Sequence, residues 1–271
     1  MKITILTENT ANARGLLAEH GLSVLVEANE RRLLFDVGQS GVYRHNAGRM
    51  GVGLEGLDGI VLSHGHYDHT GGLEEYTEGE LPAVYIRQNA LEKKLCADRD
   101  ATAFRDIGIP WRERNMPFSF HFTKGKEEIF PDIYVLGEIR AVVPLEKQPG
   151  LFYIQKEGRI VPDPMLDEQL LVIRTGEGLA VFAGCAHVGI LNCLERVKEA
   201  FPGDKFYFLL AGMHLRGCGS QRREDTVQGL TGYGFSYIIP LHCTGMEAIV
   251  RMREVFGKTC LSGEAGRSYT L

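Results

Sequence analysis

The chain has 271 residues, of which 44% are hydrophobic and 24% are charged, and these proportions exclude an intrinsically disordered protein. Its formal net charge of -5 gives no support to a nucleic-acid-binding protein. The sequence does not start with a basic segment followed by a long apolar run, and no apolar stretch approaches the roughly 20 residues that a membrane span needs. We therefore expect a cytoplasmic protein with no membrane or nucleic-acid partner.

The composition of the sequence does not change along the chain in a way that would mark a domain boundary. No linker interrupts it, and α/β or strand-rich domains often reach this length, so we predict one domain over residues 1–271. The six cysteines form no Cys-x-x-Cys pair, which is evidence against a structural zinc ribbon or a redox dithiol. We expect all six to be reduced thiols.

Apolar and β-branched runs predict strands along the whole chain. In chain order these strands are predicted over residues 2–7, 22–27, 31–36, 58–63, 83–87, 133–136, 151–155, 170–174, 179–183, 206–210 and 237–241. Most of the later runs are bounded by Gly or Pro. The segment 98–125 shows no clear periodicity.

Helical spacing is clearest over residues 189–201, where apolar residues form one face. A second helix is predicted to begin at Thr244, because Thr244 and Glu247 have the spacing of a capping box. Weaker helices are predicted over 43–49 and 223–230. Strands that alternate with helices in both halves of the chain predict an α/β fold.

Three histidines and an aspartate follow the strand predicted over 58–63, at His64, His66, Asp68 and His69. Alternate side chains of an extended loop point the same way, so His64 and His66 can reach one metal ion while Asp68 and His69 reach another. These ligands suit zinc, iron or manganese. A polar surface loop is the alternative interpretation. However, crowded imidazoles repel one another when protonated, and a metal offsets the cost of burying them, so we predict a metal site.

The pattern His-x-His-x-Asp-His at these positions resembles the signature of the metallo-β-lactamase-fold superfamily. The segment that ends in Asp36, Val37 and Gly38 resembles that superfamily's strand with an Asp-x-Gly turn. The resemblance implies a four-layer αββα sandwich and two divalent metal ions, zinc first, with manganese or iron as alternatives. It also implies that Asp36 orients metal-bound histidines, a role compatible with the simpler interpretation of a turn-forming Asp.

Superfamily members complete the two metal sites with later histidines at strand ends. His187 and His242 occupy such positions, after the strands predicted over 179–183 and 237–241. The implied ligand sets are His64, His66 and His187 for one ion, and Asp68, His69 and His242 for the other.

One position departs from the pattern of many superfamily hydrolases, which have an Asp that bridges both ions. This chain has Cys185 there, after Gly184. Either Cys185 bridges the ions as a thiolate, or it is a buried structural thiol beside the ligands. The sequence therefore leaves open whether one or two ions bind.

A narrower resemblance is to the branch that includes the archaeal 7,8-dihydropterin-6-methyl-4-(β-D-ribofuranosyl)aminobenzene-5'-phosphate synthase. The segments that carry it are Glu19-His20-Gly21-Leu22-Ser23, Phe35-Asp36-Val37-Gly38-Gln39-Ser40, Gly184-Cys185-Ala186-His187-Val188-Gly189-Ile190, Met213-His214-Leu215 and His242-Cys243-Thr244-Gly245. Because these segments lie in both halves of the chain, the resemblance covers most of its length.

Two further residues near a strand end are candidates for the pocket. We predict that His214, after the strand over 206–210, donates a proton or hydrogen-bonds the substrate, with a structural histidine as the alternative. Arg216 either holds an anionic group of the substrate or is an exposed solubilising residue. His20, His45 and His121 lie away from the predicted strand ends, and we assign them no catalytic role.

The implied chemistry is hydrolysis of a small anionic ester or phosphoester by a metal-activated hydroxide that Asp68 orients. The alternatives are a synthase-like transfer in which an aryl amine displaces pyrophosphate from a pterin diphosphate, an iron-dependent oxidoreductase, and a metal-dependent binding module without turnover. We expect a small-molecule substrate that is selected by the loops over 98–125 and 146–168. A homo-oligomer is one option for the assembly.

Overall fold

Seventeen strands and five α-helices form the described part of the chain, which comprises residues 1–98, 100, 102–146 and 150–271 of this computed structural model. The strands are β1 (Lys2–Thr7), β2 (Ser23–Ala28), β3 (Arg31–Phe35), β4 (Gly59–Val61), β5 (Ala83–Ile86), β6 (Lys93–Ala97), β7 (Phe104–Asp106), β8 (Phe120–Phe122), β9 (Lys126–Phe130), β10 (Ile133–Leu136), β11 (Phe152–Lys156), β12 (Arg159–Pro162), β13 (Leu170–Thr175), β14 (Gly178–Ala183), β15 (Phe206–Ala211), β16 (Tyr237–Pro240) and β17 (Ser268–Thr270). The helices are α1 (Val42–Met50), α2 (Tyr67–Thr70), α3 (Ile190–Ala200), α4 (Ser220–Thr231) and α5 (Met246–Phe256). Within this described part, none of the helices combines the length and the apolar character that crossing a bilayer requires.

Two large sheets place the ends of parallel strands where loops can carry a site. The first has the order β17-β1-β2-β3-β4-β5-β8. Its four strands β3, β4, β5 and β8 run parallel to one another. The second has the order β16-β15-β14-β13-β10-β9, and β14, β15 and β16 run parallel. The loops at the carboxyl ends of parallel strands lie along one edge of each sheet.

The two large sheets pack face to face, with helices on both outer surfaces. Between them lies a core that includes Phe35 of the first sheet and Phe182 of the second. The outer face of the first sheet packs against α1 through Tyr43, and the outer face of the second packs against α3 through Leu194. Strand β13 is apolar at four successive positions because both of its faces are buried. The predicted four-layer αββα sandwich is therefore confirmed.

Each predicted strand coincides with an observed strand, but the structure adds β6 to β9, β12 and β17. Strands β6, β7, β11 and β12 form a third sheet, of order β12-β11-β6-β7, that was not predicted. Strands β7 and β8 lie in the segment without clear periodicity. Within the two predicted specificity loops, residues 99, 101 and 147–149 lie outside the described residues.

The predicted capping box at the start of α5 is wrong. The helix begins at Met246, and Gly245 at its N-cap makes no side-chain cap. The hydroxyl of Thr244 instead accepts a hydrogen bond from the backbone N–H of Met213 and donates one to the carbonyl of Ala211. Tertiary contacts with the loop after β15 therefore replace the local cap.

A buried ion cluster ties the third sheet to the loop after β4. Lys94 on β6 is buried, with its Nζ 2.9 Å from Asp163 Oδ2 and 2.5 Å from Asp167 Oδ1. The other oxygen of Asp167, Oδ2, accepts a 2.8 Å hydrogen bond from the backbone N–H of Gly65. The ammonium therefore balances two carboxylates, one of which holds the loop backbone.

We expect the substitution Lys94→Met to destabilise the fold, because it leaves two buried carboxylates without their cation. The loss in the free energy of unfolding should be about 3–5 kcal/mol, measured by urea denaturation. The matched control is Lys198→Met, which breaks an exposed pair with Glu195 and should cost no more than about 1 kcal/mol. Equal losses in the two variants would contradict the structural role of the buried cluster.

Candidate metal centre

The ends of five parallel strands bring side chains to one cluster between the two large sheets. Asp36 follows β3, His64 follows β4, Cys185 follows β14, His214 follows β15 and His242 follows β16. All of these residues are buried except His214, which is half-buried. The arrangement follows from the parallel connections, since each strand delivers its next residues to the same edge.

A first group of three imidazole nitrogens converges around His66. Its Nδ1 lies 3.0 Å from His64 Nε2 and 3.1 Å from His187 Nε2. Nitrogens bound to a tetrahedral zinc ion at 2.0–2.1 Å are separated by about 3.3 Å, so the observed spacing is close to that of a metal site.

A second group lies beside the first. His69 Nε2 is 3.2 Å from His242 Nε2, and Asp68 Oδ2 is 3.3 Å from His242 Nε2 and 3.8 Å from His69 Nε2. Cys185 Sγ lies 3.2 Å from His69 Nε2. The thiol is also within 4.8 Å of the ligand atoms of His64 and His187, so it stands between the two groups.

The carboxylate of Asp36 fixes the orientation of rings in both groups. Its Oδ2 accepts a 2.6 Å hydrogen bond from His69 Nδ1 and a 2.7 Å hydrogen bond from the Ser63 hydroxyl. The same hydroxyl lies 2.9 Å from His64 Nδ1 and can accept its proton. With their Nδ1 atoms held in this way, His64 and His69 direct Nε2 into the cluster.

Other buried polar groups hold the remaining loops. Glu8 accepts a 2.7 Å hydrogen bond from the backbone N–H of His242, and Asn9 Oδ1 lies 3.0 Å from His242 Nδ1. The carboxylate of Glu168 accepts the backbone N–H groups of His187 and Val188, at 2.7 and 3.0 Å. Burial raises the pKa of Glu168 to about 7.

The electrostatics of the cluster favour a cation. Burial lowers the pKa of His66 to about 3 and lowers the pKa values of His64 and His187 well below the usual value. These three rings are therefore neutral near pH 7. Burial also acts to lower the pKa of His69, but the charges of Asp36 and Asp68 outweigh it and raise that pKa to about 9. Neutral imidazoles beside carboxylates are the donor set that a divalent metal ion takes, so the residues fit such an ion.

The backbone takes left-handed torsions where the loops leave the strands. Asp36, Ala186, His214 and His242 have φ values of 56°, 49°, 45° and 54°. Such values are costly for residues other than glycine and occur at functional sites that surrounding contacts hold in place. The turns direct the following side chains into the cluster.

The two predicted pocket residues lie on different sides of the cluster. The ring centroid of His214 is 4.6 Å from that of His187, and its Nδ1 is buried without a hydrogen-bond partner in the described part of the chain. Phe152 of the third sheet packs on both rings. Arg216 is exposed and lines a cavity together with His242 and Arg253.

Among the histidines given no role, His20 lies close to the cluster, although it does not follow a predicted strand. Its Nε2 lies 3.2 Å from Asp68 Oδ2, inside the candidate site. His45 contacts the carbonyl of Gly15, and His121 pairs with Glu127, both outside the cluster.

Sequence reasoning also missed the residues that support the ligands. They are Glu8, Asn9, Lys94, Asp167, Glu168 and Cys243. Of these residues, Glu8 and Asn9 could have been identified from the sequence, because they directly follow the strand predicted over residues 2–7, as several candidate ligands follow other strands. The others lie at positions whose burial depends on packing between distant segments.

Comparison with known proteins shows the family to which the chain belongs. Residues 17–204 match the family model of the metallo-beta-lactamase superfamily. An uncharacterised protein of Methanocaldococcus jannaschii is 31% identical over 263 residues, which cover 93% of this chain and 94% of that protein. The 7,8-dihydropterin-6-methyl-4-(beta-D-ribofuranosyl)-aminobenzene-5'-phosphate synthase of the same organism is 28% identical over 270 residues, covering 94% of this chain and 92% of the synthase.

Solved structures agree with this placement. The crystal structure of Tm1679, a metal-dependent hydrolase of the beta-lactamase superfamily, is 31% identical and superposes with a TM-score of 0.88, covering 100% of this chain and 99% of that chain. Zinc-bound PqqB from Methylobacterium extorquens is 14% identical with a TM-score of 0.58, covering 100% of both chains, and shares the fold. The chain belongs to the metallo-beta-lactamase superfamily.

Proposed function

We propose that this chain is a hydrolase that uses two divalent metal ions, zinc in the first place, on a small anionic ester or phosphoester. The observation that carries the proposal is the pair of adjacent ligand groups, each with nitrogen or oxygen atoms between 3.0 and 3.8 Å apart. His64, His66 and His187 would hold one ion, and Asp68, His69 and His242 the other. When bound, such a pair supplies an activated water and positive charge that stabilises a negatively charged transition state.

Cys185 is the residue suited to link the two ions. Its thiol lies within 4.8 Å of ligand atoms in both groups, the position that a bridging ligand needs. A neighbouring divalent ion favours the thiolate, which is a good ligand for zinc. We therefore propose the bridging role over that of a structural thiol.

Two side chains supply the proton chemistry in this proposal. Asp68 is buried, and the contacts of its Oδ2 with His242 and His69 place it beside the second ligand group. It can orient the attacking water by accepting a hydrogen bond. His214 lies beside His187, and its Nδ1 has no hydrogen-bond partner among the residues that the structure describes, so it can donate a proton to the leaving group.

The cavity beside His242 favours an anionic substrate. Arg216 and Arg253 both line it, and His242 is the residue of the second ligand group that it borders. Of its two carboxylates, Glu8 is engaged by the backbone of His242 and Thr10, and Glu264 pairs with Arg267. The guanidinium groups therefore leave the cavity suited to a carboxylate or phosphate.

A transferase that releases pyrophosphate is the second candidate, because the synthase relative covers nearly the whole chain at 28% identity. The same cavity could take a diphosphate. Release of pyrophosphate from a pterin diphosphate in the presence of an aryl amine would favour this candidate over hydrolysis. Tight binding of such ligands without any product would favour a non-catalytic metal-dependent module.

We expect Asp68→Ala to reduce both metal content and turnover, because it removes a ligand and the group that orients water. Elemental analysis should give two ions per chain in the wild type and about one in the variant, with turnover lower by at least about 100-fold. Turnover is measured on whichever 4-nitrophenyl phosphoester or carboxylic ester the wild type cleaves. The control Asp204→Ala removes a surface carboxylate that pairs with Arg174 and should change neither quantity. Full metal content and turnover in Asp68→Ala would refute the assignment.

The bridging role of Cys185 predicts a spectroscopic signature. Cobalt(II)-loaded wild type should show a sulfur-to-cobalt charge-transfer band in the near ultraviolet, and Cys185→Ser should lack it. Cys96→Ser, at a half-buried thiol on β6, should keep the band. Persistence of the band in Cys185→Ser would make that thiol a structural one.

Removal of the Arg216 guanidinium should weaken binding of charged substrates selectively. In Arg216→Ala we expect the KM for an anionic phosphoester to rise about tenfold with little change in kcat, since one charged hydrogen bond is lost. The KM for a neutral carboxylic ester should stay unchanged, as should both values in the surface variant Arg140→Ala. An equal rise for the neutral ester would show that the residue does not recognise charge.

A further inference from the structure

His20 enters the candidate site from the connection between β1 and β2. Its Nε2 lies 3.2 Å from Asp68 Oδ2, although the His20 side chain is 46% exposed and that of Asp68 is only 8% exposed. The ring therefore stands on the solvent side of a buried carboxylate.

The backbone around His20 is held against the metal-binding loop. The N–H of Leu22 donates a 3.2 Å hydrogen bond to the carbonyl of Asp68, and the N–H of Gly21 donates to Asn9 Oδ1 at 3.4 Å. A Cβ at position 21 would lie only 2.8 Å from the Asp68 carbonyl oxygen, so the approach requires glycine there. The backbone next to His20 is thus held against the loop that carries Asp68.

The ring of His20 approaches the same oxygen atom that faces the second ligand group. Asp68 Oδ2 is 3.3 Å from His242 Nε2 and 3.8 Å from His69 Nε2. The His20 and His242 rings are stacked, with centroids 4.9 Å apart and planes at 29°.

The contacts of the other rings show what this oxygen faces. His69 has its Nδ1 2.6 Å from Asp36 Oδ2, and His242 has its Nδ1 3.0 Å from Asn9 Oδ1, so both rings direct Nε2 toward Asp68 Oδ2. The ligand atoms of His20, Asp68 and His242 all lie within 4.8 Å of one another, a spacing at which they could hold a metal ion. The 3.2 Å separation of His20 Nε2 from that oxygen is close to the spacing of about 3.3 Å between neighbouring ligands of a zinc-sized ion.

We infer that His20 is an additional, solvent-side ligand of the second metal ion, bound through Nε2. The inference rests on the proposed pair of metal ions and adds a ligand to the second one. The competing role is that of an N–H donor to Asp68, which would orient the carboxylate without touching the ion.

A direct test is the coupling between a metal nucleus and the ring nitrogen. Protein labelled with nitrogen-15 at histidine is loaded with cadmium-113, and ring nitrogens are observed through their carbon-bound protons. The wild type should show a cadmium-split Nε2 resonance that disappears in His20→Ala. The matched control is His121→Ala, which removes a histidine that is 50% exposed and also contacts a carboxylate, and it should leave every split resonance in place. An identical set of split resonances in the wild type and His20→Ala would overturn the inference.

A second variant separates a ligand from a hydrogen-bond donor. Gln keeps an N–H donor of similar reach but is a poor metal ligand, so His20→Gln should weaken binding of the second ion at least about tenfold, as His20→Ala should. Wild-type affinity in His20→Gln would establish the donor role and overturn the inference. Failure of the wild type to bind two ions would overturn the proposed metal pair as well, whereas two bound ions with no His20 coupling would overturn only the ligand assignment.

Discussion

The buried carboxylate of Asp36 is the constraint on which the site depends. It follows β3 and accepts hydrogen bonds from the backbone and hydroxyl of Ser63, after β4, and from the ring of His69. One group therefore joins two strand ends, sets the tautomer of one ligand directly and sets that of His64 through a hydroxyl. A buried carboxylate is stable only when it is well hydrogen-bonded, so its contacts are also the reason that the two loops keep their relative position.

Other carboxylates around the cluster also hold the loops that carry the imidazoles. Asp167 holds the backbone between His64 and His66, Glu168 holds the backbone at His187, and Glu8 holds it at His242. Each loop is thus tied down by a carboxylate that belongs to a different segment of the chain. Without an ion, the converging lone pairs repel one another, and metal binding then contributes to the stability of the fold as well as to chemistry.

The sequence predicted the parts of the site that depend on local pattern. The motif from His64 to His69 lies within one loop. Periodicity identifies the apolar strands that His187 and His242 follow, and the resemblance to the superfamily is what assigned these two histidines to the site. His20 lies in an antiparallel connection and reaches the site only because Gly21 packs against the backbone of Asp68, a contact between distant segments. In the sequence Lys94 looks like a surface residue, whereas in the structure it is buried beside Asp163 and Asp167. The capping box predicted for α5 was wrong for the same reason, because the Thr244 hydroxyl forms hydrogen bonds with Met213 and Ala211 of a distant segment.

The third sheet is more than an insertion added to the edge of the sandwich. Phe152 on β11 packs on the rings of His187 and His214, while Lys94 on β6 neutralises the carboxylate that holds the loop between His64 and His66. The third sheet therefore covers one side of the cluster and also supports the loop that follows β4. A graft that replaced this sheet without a cation at position 94 and its aspartate partners would weaken the loop between His64 and His66, even if every proposed ligand were kept.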